Sequence, residues 1–102
     1  MTDMTIPPWA EHELRDYVDR GVIYSGFLTA VVQNDLSRAV AKADSGNQRI
    51  IANYVMWLHN MAPDACHGSV DAVREWHKAG GGIGLYGTSY YHLKEQKENA
   101  NG

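Results

Sequence analysis

Apolar residues recur at helical spacing in four segments of the chain, and this pattern predicts an all-α fold. The first segment begins after Pro7-Pro8, stops at Gly21 and has the apolar residues Ala10, Leu14, Tyr17 and Val18. Steps of three and four residues place these side chains on one face of a helix. Proline favours the first helical turn, and glycine favours the end of a helix. The segment is therefore predicted as an amphipathic helix of about three turns.

The middle of the chain carries two further apolar stripes. The first follows Ser25, a suitable N-cap, and contains Leu28, Val31, Val32, Leu36, Ala39, Val40 and Ala43. Asn34-Asp35 interrupts this stripe, because both residue types compete for backbone hydrogen bonds. The pair indicates either a bend in one helix, which we favour, or a break at which Asp35 caps a second short helix.

The second stripe follows Asn47, which we predict to be its N-cap, and ends before Pro63. Its apolar residues are Ile50, Ile51, Tyr54, Val55, Leu58 and Met61. Only Asp44-Ser45-Gly46 separates the two stripes. Because the connection is short, we predict that the two helices pair as a central antiparallel hairpin.

A fourth helix is predicted between Ser69, as its N-cap, and the run Gly80-Gly81-Gly82. The residues after this run are first rich in glycine and tyrosine, then charged and poor in apolar side chains. We predict a helical domain over residues 1–82 and a C-terminal extension over residues 83–102, ordered to about Leu93 and disordered beyond it. The predicted fold is a small single-domain all-α fold of about four short helices with a Gly/Tyr-rich C-terminal extension.

Length and charge narrow the classes of function. The chain has 102 residues, 44% of them hydrophobic and 21% charged, which suits one globular domain. Twelve acidic residues against nine basic ones give a net charge of -3, which disfavours a nucleic-acid partner. The sequence has no apolar run of membrane-spanning length, no secretion signal near its first residue and a single cysteine, Cys66. We therefore expect a cytoplasmic protein without a membrane partner.

Three patterns could carry chemistry, and we assign none of them a catalytic role or a cofactor. Residues 82–87 match the G-x-G-x-x-G of dinucleotide-binding folds, but a helix rather than a strand is predicted before them. Cys66-His67 lacks a third residue that would orient a nucleophile. A metal site could use His59, Cys66, His67 and His77, although they lack the paired spacing of a structural zinc site. We predict no enzyme activity and leave metal binding open.

Basic residues near the predicted hairpin turn form a candidate anion site. Arg38 and Lys42 lie one turn apart near the end of the second predicted helix, and Arg49 lies in the first turn of the third. Free amides at the start of a helix attract phosphate or carboxylate groups, so the turn would offer both charge and N–H donors. The alternative is that these cations are solvated and pair with Asp35 and Asp44.

Aromatic and amide side chains could contact the base of a nucleotide. Asn53, Trp57 and Asn60 form a second face of the third predicted helix, and Tyr90 and Tyr91 lie in the extension. Aromatic rings stack on bases, and amides bond to base edges. The alternative is that Trp57 packs under the fourth predicted helix or the tail, the asparagines bond to loop backbone and the extension docks on its own or a neighbouring subunit.

Several short motifs carry a resemblance to one group of proteins; they are Gly26-Phe27-Leu28-Thr29-Ala30-Val31, Asn34-Asp35-Leu36, Ala43-Asp44, Asn47, Trp57-Leu58-His59-Asn60, Ala62-Pro63, Cys66-His67-Gly68-Ser69, Val73 and Trp76. Together they resemble small phage and prophage accessory proteins over residues 6–79. The resemblance implies an expendable gene product that acts on a bacterial host. That class includes inhibitors of bacterial defence and oligomeric proteins that hold cyclic-nucleotide or ADP-ribose signals.

These observations lead to one hypothesis and one alternative. We predict a phage anti-defence protein that sequesters a small nucleotide-derived immune signal in the bacterial cytoplasm without catalysis. Its ligand residues would be Arg38, Lys42, Arg49, Asn53, Trp57, Asn60, Tyr90 and Tyr91. A homo-oligomer is expected, because a chain this short has little concave surface of its own. The alternative is a protein–protein inhibitor or adaptor that docks its acidic first helix or its aromatic extension on a host defence or phage protein.

Overall fold

The computed structural model describes the backbone of residues 3–100 and the side chains of residues 3–96. This part of the chain is all-α, as predicted, and contains no strand. Its elements are α1 (Pro8–Arg20), α2 (Gly26–Val32), α3 (Leu36–Lys42), α4 (Ser45–Arg49), α5 (Ile51–Met61), a 3-10 turn (Asp64–Cys66), α6 (Val70–Ala79), α7 (Gly81–Tyr86) and α8 (Tyr90–Ala100). None of these helices is both long enough and apolar enough to cross a bilayer.

Helix α1 begins and ends where the sequence predicts. Pro8 occupies its first position, and Gly21 closes it in the left-handed conformation with a φ of 78°. All four predicted core residues of this helix are buried. The Tyr17 hydroxyl donates a hydrogen bond to the Cys66 carbonyl oxygen over 2.7 Å. This bond ties α1 to the 3-10 turn.

The segment predicted as one bent helix consists of two helices. Asn34 adopts a φ of 60°, which α2 cannot continue through. The Asp35 carboxylate then accepts a hydrogen bond from the Arg38 backbone N–H at 3.2 Å and caps α3. The bent-helix interpretation is wrong, and the alternative with Asp35 as a cap is confirmed, because the carboxylate satisfies an N–H that a helix start leaves unpaired.

The predicted third helix also divides in two, so four short helices occupy the segment expected to form a two-helix hairpin. Asp44, rather than Asn47, is the cap of α4, since its carboxylate accepts from the Asn47 backbone N–H at 2.8 Å. Asn47 is buried, and its side-chain oxygen accepts from the Tyr54 hydroxyl at 2.7 Å. The predicted cap is therefore a core hydrogen-bond acceptor.

Helices α6 and α7 pack against the C-terminal end of α1. Ser69 caps α6 as predicted, by accepting from the Ala72 backbone N–H. The Trp76 indole N–H donates to the carbonyl oxygens of Tyr17 and Val18 at 3.2 and 3.1 Å. Gly81 has a φ of 71°, and a Cβ there would lie 2.5 Å from the Gly21 backbone nitrogen. This contact requires glycine on steric grounds as well as conformational ones.

The glycine run that predicts the end of the helical domain leads directly into another helix. The G-x-G-x-x-G match lies within α7 and its C-cap Gly87, so it forms no phosphate-binding loop between a strand and a helix. The predicted boundary between residues 82 and 83 falls inside this helix. Buried Gly81 and Gly82 pack against α1, which explains why a glycine-rich segment stays helical.

The C-terminal extension folds back on the rest of the chain. Asp19 on α1 accepts hydrogen bonds from the Ser89 hydroxyl and from the Tyr90 backbone N–H at 3.1 Å. Tyr90 and Tyr91 pack against the core. Helix α8 continues to Ala100, past the point at which we expected order to end. The part of that expectation concerning residues 101–102 lies outside the described residues.

Candidate functional site

A cleft with cationic and aromatic walls lies between α1, α5 and α8. Its volume is about 360 Å³, and its lining residues are Arg15, Met61, Tyr91, Lys94 and Glu95. A second hollow of about 360 Å³ adjoins it, shares Arg15 and Met61, and is also lined by Met4, Thr5, Ile6, Glu11 and Trp57. Each volume lies in the range of small-ligand pockets, which starts at about 300 Å³. We call the two hollows together the cationic cleft.

Arg15 is the centre of this cleft, and aromatic rings hold it in place. The carbon of its guanidinium lies 4.6 Å from the Tyr91 ring centroid and 5.9 Å from that of Trp57. Glu11, one turn earlier, accepts from Nε and Nη2, both at 2.9 Å. Among the described residues Nη1 has no partner, so the fixed guanidinium still has donors to offer.

Two further donors lie on the α8 side. The Tyr91 hydroxyl is buried without a hydrogen-bond partner among the described residues. Burial raises the pKa of Tyr91, although Arg15 opposes the shift, so the group remains a phenol that can donate. Lys94 Nζ donates to the Asn60 carbonyl oxygen at 2.8 Å, which anchors its charge at the wall. The cleft therefore combines donors suited to an anion, and the carboxylates of Glu11 and Glu95 balance the formal charges of Arg15 and Lys94.

The predicted aromatic and amide residues surround this cleft in roles different from those expected. Trp57 is only 3% exposed, and Arg15 covers its ring, so it is not free to stack on a base. Asn53 donates to the Thr5 carbonyl oxygen and Asn60 to that of Met56, both at 2.8 Å. Trp57 is thus buried and Asn53 bonds to loop backbone, as the alternative interpretation expected, whereas Asn60 bonds to the backbone of its own helix.

The two predicted tyrosines differ in their surroundings. Tyr91 lines the cationic cleft. Tyr90 instead packs its Cβ over Gly82, 3.5 Å from the position that a Cβ there would occupy. The two rings meet edge to face, with centroids 5.3 Å apart. The structure therefore brings one of the two tyrosines to the candidate site.

The predicted cationic turn does not gather into this site. Arg38, Lys42 and Arg49 are all exposed, and none of them lines either hollow of the cationic cleft. Arg49 lies in the last turn of α4 rather than at the start of a helix. The Asp44 carboxylate already occupies the start of α4 and accepts one of its N–H groups, so an anion would meet like charge there.

Arg15 and Lys94 were not among the predicted ligand residues. The spacing of Arg15 from Glu11 marks an ordinary surface ion pair, and nothing local indicates that a distant tyrosine will cover it. Lys94 lies in a segment that we expected to be disordered. The usable signal was the three-residue interval from Tyr91 to Lys94, which places both on one helix face if the tail is helical.

The cysteine and histidine patterns do not form a metal or nucleophile site in the described residues. Burial raises the pKa of the Cys66 thiol to about 12, so it stays protonated at neutral pH. A ring nitrogen of His77, Nδ1, lies 2.8 Å from the Gly21 carbonyl oxygen. His59 and His67 meet edge to face with ring centroids 6.0 Å apart. No group of three or more histidine, cysteine or acidic side chains is placed to hold a metal ion in residues 3–96.

Comparison with known proteins adds no relative to this description. No family model, no curated protein and no solved structure matches the chain.

Proposed function

We propose that the protein binds a small phosphate-bearing nucleotide in the cationic cleft and sequesters it without a chemical step. The observation that carries this proposal is Arg15, whose guanidinium is fixed against two aromatic rings and keeps Nη1 available. Lys94 and the Tyr91 hydroxyl supply further donors on the same wall. Charge-assisted hydrogen bonds from such donors suit phosphate oxygens.

The adjoining hollow would receive the apolar part of the ligand. Ile6, Met61 and Trp57 line it beside Arg15. Because the guanidinium covers the Trp57 ring, a base would pack against the Met61 thioether rather than stack on tryptophan. The ligand class is thus the one predicted from the sequence, but its proposed site is the cationic cleft rather than the turn between α3 and α4.

The biological setting follows from the sequence resemblance over residues 6–79. We propose a phage-encoded protein that withdraws a cyclic-nucleotide or ADP-ribose signal from a bacterial defence system. An oligomer would let a small chain hold more ligand by adding walls from a second copy. Sedimentation equilibrium, with and without the nucleotide, measures the subunit number that this prediction requires.

Isothermal titration calorimetry with ADP-ribose and cyclic dinucleotides tests the binding proposal. Arg15→Gln is expected to weaken binding at least about tenfold, because one charge-assisted hydrogen bond contributes about 1.5–3 kcal/mol. Arg49→Gln removes the same charge at an exposed position outside the cleft and should leave affinity unchanged. Circular dichroism of both variants checks that the fold is intact.

Two outcomes would contradict this assignment. Absence of binding by every nucleotide would remove the proposed function. A loss of affinity in Arg49→Gln but not in Arg15→Gln would return the site to the turn that the sequence favoured.

A protein partner is the second candidate function, and the exposed aromatic residues favour it. The side chains of Trp9 and Tyr24, near the two ends of α1, are 50% and 82% exposed. Aromatic residues often dominate the binding energy of protein interfaces. If Trp9→Ala abolishes protection of phage in infected cells while nucleotide affinity is unchanged, the partner is a protein rather than a nucleotide.

A further inference from the structure

A second cleft lies between α2, α5 and the 3-10 turn with the loop that follows it. Its volume is about 320 Å³. The apolar part of its lining is Val31, Val55 and Leu58, and the polar part includes Asn34, Asp64 and His67. A smaller apolar hollow shares Val31, Asn34 and Val55 with it and extends to Leu36 and Ile51. The two hollows together place apolar side chains next to a group of polar residues.

The polar end contains a buried nitrogen without a partner. His67 Nε2 is buried and makes no hydrogen bond among the described residues. An unmade hydrogen bond at a buried polar atom costs free energy, so a ligand that supplies the missing partner gains by it. Burial, and secondarily the neighbouring His59, lowers the pKa of His67, while Asp64 opposes the shift. The neutral imidazole can accept a hydrogen bond at Nε2 when its proton is on Nδ1.

The remaining polar groups are also hydrogen-bond acceptors. The Asp64 carboxylate is exposed and has no ion pair in the described part of the chain. Asn34, the left-handed residue that follows α2, also lines the cleft, and its side-chain amide includes an acceptor oxygen. His59 and Gly68 complete the lining, and neither lysine nor arginine lines this cleft or the hollow beside it. This second cleft thus has a carboxylate and no cation in its lining, whereas the cationic cleft contains Arg15 and Lys94.

We propose that this second cleft, the acceptor cleft, binds a small primary amine with an apolar body. An ammonium group has three N–H donors and no acceptor, which matches the acceptors of His67, Asp64 and Asn34. The apolar body lies along Val31 and Val55 towards Leu36. This site is independent of the proposed nucleotide site, because the two clefts share no lining residue.

Nuclear magnetic resonance titration of the full chain with hexylamine tests this assignment. At pH 7.5 hexylammonium should shift the resonances of Asn34, His67 and Gly68 and saturate at millimolar concentration. Hexanoate, which has the opposite charge, should leave those resonances unchanged, and 1-hexanol should bind at least about tenfold more weakly. Asp64→Asn should weaken hexylammonium at least fivefold. Asp71→Asn, the same change at an exposed carboxylate on α6, is the matched control and should have no effect.

The titration also contains the results that would overturn the proposal. Equal shifts by hexanoate and hexylammonium would mean that only the apolar wall binds. Hexylammonium shifts spread over all acidic residues, or equal losses in Asp64→Asn and Asp71→Asn, would mean non-specific attraction. Nucleotide titrations report on Tyr91 and Lys94 instead, so failure of one proposal leaves the other unaffected.

Discussion

The cationic cleft and the acceptor cleft differ in how far along the chain their walls come from. Arg15 on α1 meets Tyr91 and Lys94 on α8, so the cationic cleft exists only when distant helices dock. The acceptor cleft is built from residues between Val31 and Gly68. The first site therefore depends on the global packing of the chain, and the second depends mainly on the local turns around α5. Substitutions that weaken the docking of α8 on α1 should therefore impair the cationic cleft and leave the acceptor cleft intact.

The largest expected effect is at the contact between α1 and α7. Gly81→Ala should lower the free energy of unfolding by about 3 kcal/mol, because it combines a left-handed alanine with a clash against the Arg20–Gly21 backbone. Urea unfolding followed by circular dichroism measures the loss. Gly87→Ala is the control: its φ is 77° but no atom lies within 4 Å of its Cβ position, so only about 1 kcal/mol should be lost. Equal losses would show that the close contact contributes nothing.

A smaller effect should appear at the start of α8. Asp19→Ala removes the carboxylate that accepts from Ser89 and from the Tyr90 N–H, and about 1 kcal/mol of stability should be lost. Hydrogen exchange of α8 should accelerate, and nucleotide affinity should fall, because Tyr91 and Lys94 are no longer held. Asp16→Ala, which breaks only a surface pair with Arg20, should do neither. Hexylammonium affinity should be the same in both variants, since the acceptor cleft lacks α8.

The smallest expected effect is a pH dependence confined to the acceptor cleft. The pKa of His67 is lowered from 6.5 by burial, so the folded state binds fewer protons than the unfolded state as pH falls below that value. Stability is therefore retained above pH 6.5 and is lost on acidification. The loss should stay under about 1 kcal/mol, because solvent screens a half-buried side chain.

Urea midpoints at pH 7.5 and 5.5 measure this loss. His67→Gln should reduce the difference between the two midpoints, whereas His12→Gln, at an exposed position on α1, is the matched control. Hexylammonium affinity should also fall at pH 5.5, since a protonated imidazole repels an ammonium group. An unchanged difference in His67→Gln would contradict this origin of the pH dependence.

Local chemistry explains which parts of the fold were predictable. Gly21, Ser25 and Ser69 act through backbone groups within a few residues, and each limits a helix where the sequence indicates. Asn34-Asp35 and Asn47 were ambiguous, because asparagine and aspartate suit a bend, a cap or a buried acceptor equally well. Tertiary hydrogen bonding decides among these roles, as the bond between Asn47 and Tyr54 illustrates.

The candidate site was predictable only in part for the same reason. Trp57 and Tyr91 stand out in the sequence because neither belongs to the apolar face of a predicted helix. Their common partner, Arg15, lies on another helix, and its local spacing indicates only the pair with Glu11. The run Gly80-Gly81-Gly82 was ambiguous in the same way. Its composition indicates the end of a helix, but Gly81 and Gly82 begin α7 because they pack against α1.

The contact of Trp76 and Gly81 with the C-terminal end of α1 also has a consequence for biosynthesis. The residues that cover the last turn of α1 are translated roughly sixty positions after it. The native contacts of this turn therefore form only after Trp76 and Gly81 have left the ribosome, and they are among the most non-local contacts of the fold.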